Sequence, residues 1–137
     1  KLGARLHHMG LGQNGPRLVA ACLPGEQHEF GLLLFCLTAG DKEGYRFIIL
    51  GANTPLVEIA AASRQAGAEG ILLSGLALED DGLWRELKRL IRNSPVPVFV
   101  GGRVSIDHHA KLNDIGAIPL GTETAPALQQ MSGHLHS

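Results

Sequence analysis

Five short, almost wholly apolar runs recur along this chain: Leu18 to Leu23 (LVAACL), Arg46 to Leu50 (RFIIL), Ile71 to Leu73 (ILL), Val96 to Val100 (VPVFV) and Ala117 to Leu120 (AIPL). Longer segments with helical patterning separate them. A strand with one wet face alternates apolar and polar residues, whereas a strand covered on both faces reads as an unbroken apolar run. Five such strands with intervening helices predict an α/β domain built on a parallel sheet with helices on both sides.

The helical segments carry their own punctuation. Glu29 to about Ala39 reads as a helix that is apolar on most sides, and Thr54 as the N-cap of a second helix, with Pro55 at its first position and Gly67 as its stop. Leu83 to Arg92 is amphipathic, Ser105 is expected to cap a helix ending near Gly116, and a short helix runs from Ala125 to about Met131. A five-stranded sheet of this kind is commonly doubly wound and flavodoxin-like (Rossmann-type), with strand order 2-1-3-4-5. Ligands of such sheets sit outside the carboxyl ends of the strands, where the strand order reverses. The loops to inspect are therefore Pro24 to His28, Ser74 to Leu76 and Gly101 to Arg103.

At 137 residues, 45% of them hydrophobic and 18% charged, the chain suits one domain with a single core. Residues 1–16 (KLGARLHHMGLGQNGP) read as a linker or the end of a preceding helical element, and 17–137 as the domain. The net charge of −1 comes with no segment rich in Lys or Arg, so any contact with DNA is expected from a domain outside these residues. The longest apolar stretch, around Leu32 to Leu37, is too short to cross a bilayer, no segment reads as a signal peptide, and a cytoplasmic location is expected. The opening residue is Lys1 rather than Met, so the segment is expected to belong to a longer protein. Cys22 and Cys36 each lie within an apolar run and read as buried thiols rather than a bridge.

The three loops carry E-x-H-x-x-G at Glu26 to Gly31, S-x-L at Ser74 to Leu76, and the pair Gly101-Gly102. Each element alone has an ordinary explanation. His28 reads as an exposed residue opening a helix, Glu26 as a carboxylate at that helix N-terminus, Ser74 as a turn residue and the glycines as a tight turn. In this order and in these loops, they make the sequence from about Leu18 to Leu128 resemble the cobalamin (vitamin B12)-binding domain family, whose signature is D/E-x-H-x-x-G, S-x-L and G-G. A phosphoacceptor receiver domain of the same fold is excluded, because the third strand ends in Ser74 where such a domain needs an Asp.

The resemblance implies that His28 is the lower axial ligand of cobalt in a bound cobalamin and displaces the cofactor's own nucleotide tail. An imidazole that ligates through one nitrogen donates the proton on the other, and Glu26 is placed to accept it, which fixes the tautomer and raises ligand basicity. The tail then enters a slot, where Gly31 gives passage, Gly101 and Gly102 permit close approach, the Ser74 hydroxyl offers a hydrogen bond and Leu76 is an apolar wall. His7, His8, His108, His109, His134 and His136 have no zinc-like spacing and read as surface or linker residues.

Within the family, mutases and methyltransferases usually have Asp where this chain has Glu26. PGEQHEFGLLL followed by ILGANTPL is more similar to the light-sensing, cobalamin-dependent MerR-type transcriptional regulators. There a helix-turn-helix and a helical bundle precede the cobalamin domain, the bundle caps adenosylcobalamin, and light alters oligomeric state and DNA binding. The resemblance thus implies a photoreceptor-type sensor module that holds adenosylcobalamin or methylcobalamin, forms a homo-oligomer and is not itself an enzyme, since the three loops hold no nucleophile-base pair. Two alternatives stay open: a corrinoid carrier domain of a mutase or methyltransferase, and a degenerate domain that has lost the cofactor.

Overall fold

The computed structural model describes residues 7–9 (backbone only), 15–24, 30–50, 54–75, 77–78 and 80–135. In chain order the elements are β1 (His7–Met9), β2 (Arg17–Cys22), α1 (Phe30–Glu43), β3 (Arg46–Ile49), α2 (Leu56–Ala66), β4 (Gly70–Ser74), α3 (Asp81–Asn93), β5 (Val98–Gly101), α4 (Arg103–Asp107), α5 (His109–Asp114), β6 (Ile118–Gly121) and α6 (Thr124–Leu135). They form one sheet in the order β1-β3-β2-β4-β5-β6. The strands β2 to β6 are all parallel, in the expected order 2-1-3-4-5 counted along the chain, so the reversal falls between β2 and β4.

Burial on both faces explains the unbroken apolar runs. Val19, Ala21, Ile71, Leu73, Val98 and Val100 point to one side, where α2, α3, α4 and α5 cover them with Leu56, Ile59, Leu87, Leu90, Val104 and Leu112. Their neighbours Leu18, Ala20, Cys22, Phe47, Ile49, Leu72 and Phe99 point to the other side, against Leu32, Cys36 and Ala39 of α1 and Met131 and Leu135 of α6. Each central strand therefore has no polar face, as alternation across a strand requires.

Several boundaries differ from the sequence reading. His7–Met9, read there as part of a linker or helical end, form a strand antiparallel to β3, with His7 opposite Ile49 and Met9 opposite Phe47. Backbone pairing to the open edge of β3 holds a strand without requiring an alternating apolar pattern. Thr54 is not the cap of α2: Pro55, still extended at ψ 148°, holds that position, and its carbonyl accepts from Glu58 and Ile59. Thr54 is buried one residue earlier. The stop at Gly67 stands, in the left-handed conformation at φ 62°.

Ser105 is likewise not a cap. Gly102, with φ 87° and ψ −177°, precedes α4, and Ser105 lies inside that helix. The expected single helix from Ser105 to Gly116 breaks at His108 (φ −125°, ψ 34°) into α4 and α5. Pro119, which weakens β6 as a strand signal, is tolerated because β6 is the sheet's outer strand and needs pairing on one side only.

Candidate functional site

Parallel register brings the carboxyl ends of four strands into one row. Cys22 pairs with Ser74, Ser74 with Gly101, and Gly101 with Gly121. The pairing runs one residue past the strands: Leu23 N–H donates to Ser74 O (2.8 Å), Gly75 N–H to Gly101 O (3.3 Å) and Gly102 N–H to Gly121 O (3.2 Å). Between β5 and β6 the register slips at Gly101, which leaves Leu120 without a partner of its own. A bulge of this kind re-aims a side chain at the end of a strand, and Leu120 lines the groove that opens here.

That groove, about 450 Å³, lies over this row of strand ends, between the first turns of α1 and α6. Gly31, Leu34, Phe35 and Thr38 of α1 form one wall, Thr122, Glu123, Thr124 and Ala127 the other, and Leu72, Ser74, Gly101, Gly102 and Gly121 the floor. Among the predicted residues, the structure thus brings together Gly31, Ser74, Gly101 and Gly102. Glu26, His28 and Leu76 lie outside the described residues. The chain segment that carries Glu26 and His28 connects the end of β2, beside Ser74, to α1 just ahead of Gly31.

The glycines differ in what they provide. A Cβ on Gly31 meets nothing within 4 Å, so packing does not require glycine there. A Cβ on Gly101 makes only ordinary contacts, at 3.9 Å from Gly121 O and 4.0 Å from Leu120. Gly102 is required by the fold itself, because its φ is positive and a Cβ there would stand 2.6 Å from Gly75 O. Among the described residues, no hydrogen bond occupies the Ser74 hydroxyl at the groove floor. The groove combines apolar side chains such as Leu34, Phe35 and Leu120, bare glycine backbone and the hydroxyls of Ser74, Thr122 and Thr124, a lining that suits a ligand with both apolar and polar parts.

Thr122, Glu123 and Thr124 were missed by the sequence reading. The rule that picked out the loops after the first, third and fourth parallel strands applies equally to the loop after the fifth, where Gly121 (φ 77°) turns the chain into the groove wall. A smaller hollow of about 260 Å³ lies elsewhere, between α2 and α3, toward Ile71 at the start of β4 and Pro95 ahead of β5.

The described histidine side chains and the two cysteines have ordinary surroundings, while those of His7, His8 and His136 lie outside the described residues. His108 meets Trp84 edge-on at 5.3 Å, His134 meets Phe99 at 6.0 Å, and His109 lies 3.4 Å from the Asn113 amide. Among the described residues, no three of His, Cys, Asp and Glu gather into a metal-binding group. Cys22 and Cys36 are both buried and form no disulfide, and burial, with Cys22 adding to it, lifts the Cys36 pKa far above the ordinary thiol range. None of the helices described is long and apolar enough to cross a membrane.

With this geometry in hand, the comparisons with known proteins are specific. The family profile described as the B12 binding domain matches residues 16–129. This chain belongs to the B12-binding domain family, and cobalamin is the cofactor class that defines it. It is 32% identical over 105 residues to the HTH-type transcriptional repressor CarA of Myxococcus xanthus, a match that spans 75% of this chain and 36% of the repressor. It thus spans little more than a third of that relative. Two solved structures share its fold. One is a cobalamin-binding protein from Desulfitobacterium hafniense DCB-2, with TM-score 0.62 at 19% identity over 86% of this chain and 57% of the other. The second is the methanol:cobalamin methyltransferase complex MtaBC from Methanosarcina barkeri, with TM-score 0.64 at 18% identity over 89% and 52%.

Proposed function

We propose that this domain is the cobalamin-binding sensor module of a transcriptional regulator, with His28 as the lower axial cobalt ligand. The observation that carries the cofactor part is the groove at the strand ends, where Gly31, Ser74, Gly101 and Gly102 converge. The regulator part rests on the likeness to the repressor CarA over three quarters of the chain. DNA contact is assigned to a segment outside these residues, since the net charge is −1.

Each residue has a role that its chemistry allows. The His28 imidazole holds the metal, and the Glu26 carboxylate accepts the proton of its second nitrogen and so fixes the ring. The Ser74 hydroxyl hydrogen-bonds the tail on the groove floor, Gly31, Gly101 and Gly102 leave it room, and Leu76 closes an apolar side. The bound cofactor would supply a cobalt centre whose upper ligand is exchangeable or light-labile. Adenosylcobalamin and methylcobalamin are the forms this reading takes. The domain turns over no substrate by itself.

The reading as a corrinoid carrier of a methyltransferase is favoured by the second structural neighbour, but a likeness at 18% identity speaks for fold alone. The deciding experiment is a visible absorption titration of the chain with adenosylcobalamin and methylcobalamin, in darkness and after illumination. The expected result is a bound spectrum typical of nitrogen ligation, which His28→Ala converts to a water-ligated form, with a change of oligomeric state on illumination. Cobalamin that fails to co-elute with the protein on size exclusion would overturn the cofactor assignment, because exchanging the tail's nitrogen for that of His28 changes the visible spectrum little. An identical spectrum in His28→Ala would overturn the ligand, and indifference to light would overturn the light-sensing role.

A further inference from the structure

Ser105 is a polar side chain with no solvent exposure, set inside a helix and outside every motif considered above. Its hydroxyl donates to Gly102 O at 2.7 Å and accepts from Gly121 N–H at 2.9 Å. These two glycines both line the groove floor, Gly102 just after β5 and Gly121 as the last residue of β6. Both have positive φ, 87° and 77°, conformations open to glycine but to few other residues. The direct bond between them, Gly102 N–H to Gly121 O, is 3.2 Å, longer than either bond through Ser105.

We infer that Ser105 is a positioning residue for the tail-binding groove: its hydroxyl bridges the Gly101-Gly102 turn to the Gly121-Thr122 turn and so sets the width of the floor between them. This rests on the cobalamin reading for what fills the groove, but not for the bridge itself. A hydroxyl that both donates and accepts is the smallest side chain able to tie one turn's carbonyl to another turn's amide. Its removal leaves the Gly121 N–H with no partner from Ser105 and frees the second turn, which also carries the wall residues Thr122, Glu123 and Thr124. The first turn stays anchored, because Val104 N–H still donates to Gly75 O at 3.1 Å and Gly75 N–H to Gly101 O. The consequence falls on one side of the groove.

Two measurements on the 137-residue chain test this. In ligand-free protein, amide hydrogen exchange of Gly121 should rise about tenfold in Ser105→Ala, while Leu72 and Leu73 of β4 keep their protection. Ser105→Cys fills the same space with a poor hydrogen-bonding group, holds the core if the smaller alanine does not, and should behave in the same way. Unchanged exchange in either variant, or a loss spread evenly through β2 and β4, would overturn the bridge. In the second measurement, Ser105→Cys should lose about tenfold in affinity for intact cobalamin and nothing for cobinamide, which lacks the nucleotide tail. Equal losses for the two ligands, or no loss for either, would overturn the link to the groove. Wild-type protein that bound neither ligand would refute the cobalamin reading, and the exchange measurement would still decide whether Ser105 holds the turns.

Discussion

Replacing Gly102 by alanine should be among the most damaging single-methyl changes in this domain, and the structure sets its size. The residue has φ 87° and ψ −177°, a region of backbone space that L-residues essentially do not occupy, so the conformation alone costs about 1–3 kcal/mol. The added Cβ would also stand 2.6 Å from Gly75 O and 3.1 Å from Gly75 N. Relief by moving that carbonyl loosens its bond from Val104 N–H, worth about 1 kcal/mol. Together these give a loss on the order of 2–4 kcal/mol, a large part of the 5–15 kcal/mol typical of a domain. Urea unfolding followed by circular dichroism reads this as a lower midpoint with an unchanged m-value. Gly121→Ala is the internal control: φ is 77° but a Cβ meets nothing within 4 Å, so only about 1–2 kcal/mol of backbone strain applies. If Gly102→Ala cost no more than Gly121→Ala, the close approach to Gly75 would not be what selects glycine at this position.

Gly31→Ala should separate stability from binding: alanine in the first turn of α1 gains about 0.5 kcal/mol, while its methyl, open on the protein side, should cost about tenfold in cobalamin affinity. Calorimetry and titration on one sample check both halves. Glu26→Gln keeps an acceptor for the His28 ring and removes the charge, so affinity should fall on the order of 10- to 100-fold by the same titration. Acid should mimic His28→Ala, because a proton competes with cobalt for the imidazole lone pair, and the spectrum of the complex should change only well below the free imidazole pKa of about 6.5, since ligation stabilises the unprotonated ring. Burial raises the Cys36 pKa, so the folded state favours the neutral thiol; its contribution is complete below the ordinary thiol pKa of about 8.5 and is lost as pH rises above it. Urea midpoints between pH 7 and pH 10 should therefore fall less in Cys36→Ala than in the wild type.

The fold was legible because both faces of the sheet are covered. Leu18 to Cys22 reads as an unbroken apolar run for the physical reason that Leu18, Ala20 and Cys22 pack under α1 and α6 while Val19 and Ala21 pack under α2 and α3. The parallel arrangement followed from the same fact, and the strand order from its being the common one for five-stranded doubly wound sheets. His7–Met9 was not legible, because an edge strand recruited by the backbone of β3 needs no apolar signature. The cap of α2 was off by one residue because Thr54 and Pro55 both suit the cap and first helical positions, and only the extended ψ of Pro55 decides between them.

The groove was legible in part. The expected strand order pointed to the loops after the first, third and fourth parallel strands, and the resemblance to the cobalamin-binding signature named Gly31, Ser74, Gly101 and Gly102 there, all four of which line the groove. What spacing does not reveal is why a glycine is there. Gly31 faces open space, whereas Gly102 faces Gly75 O, so packing selects glycine at one of these positions and not at the other. Ser105 escaped for a related reason. Serine a few residues after a glycine turn reads as a helix cap, and the alternative, a hydroxyl reaching back to Gly102 O and across to Gly121 N–H, joins residues 16 positions apart. No local pattern encodes that pairing. It exists only because β5 and β6 end side by side, so the loops that shape the groove are held by the sheet's topology as much as by their own residues.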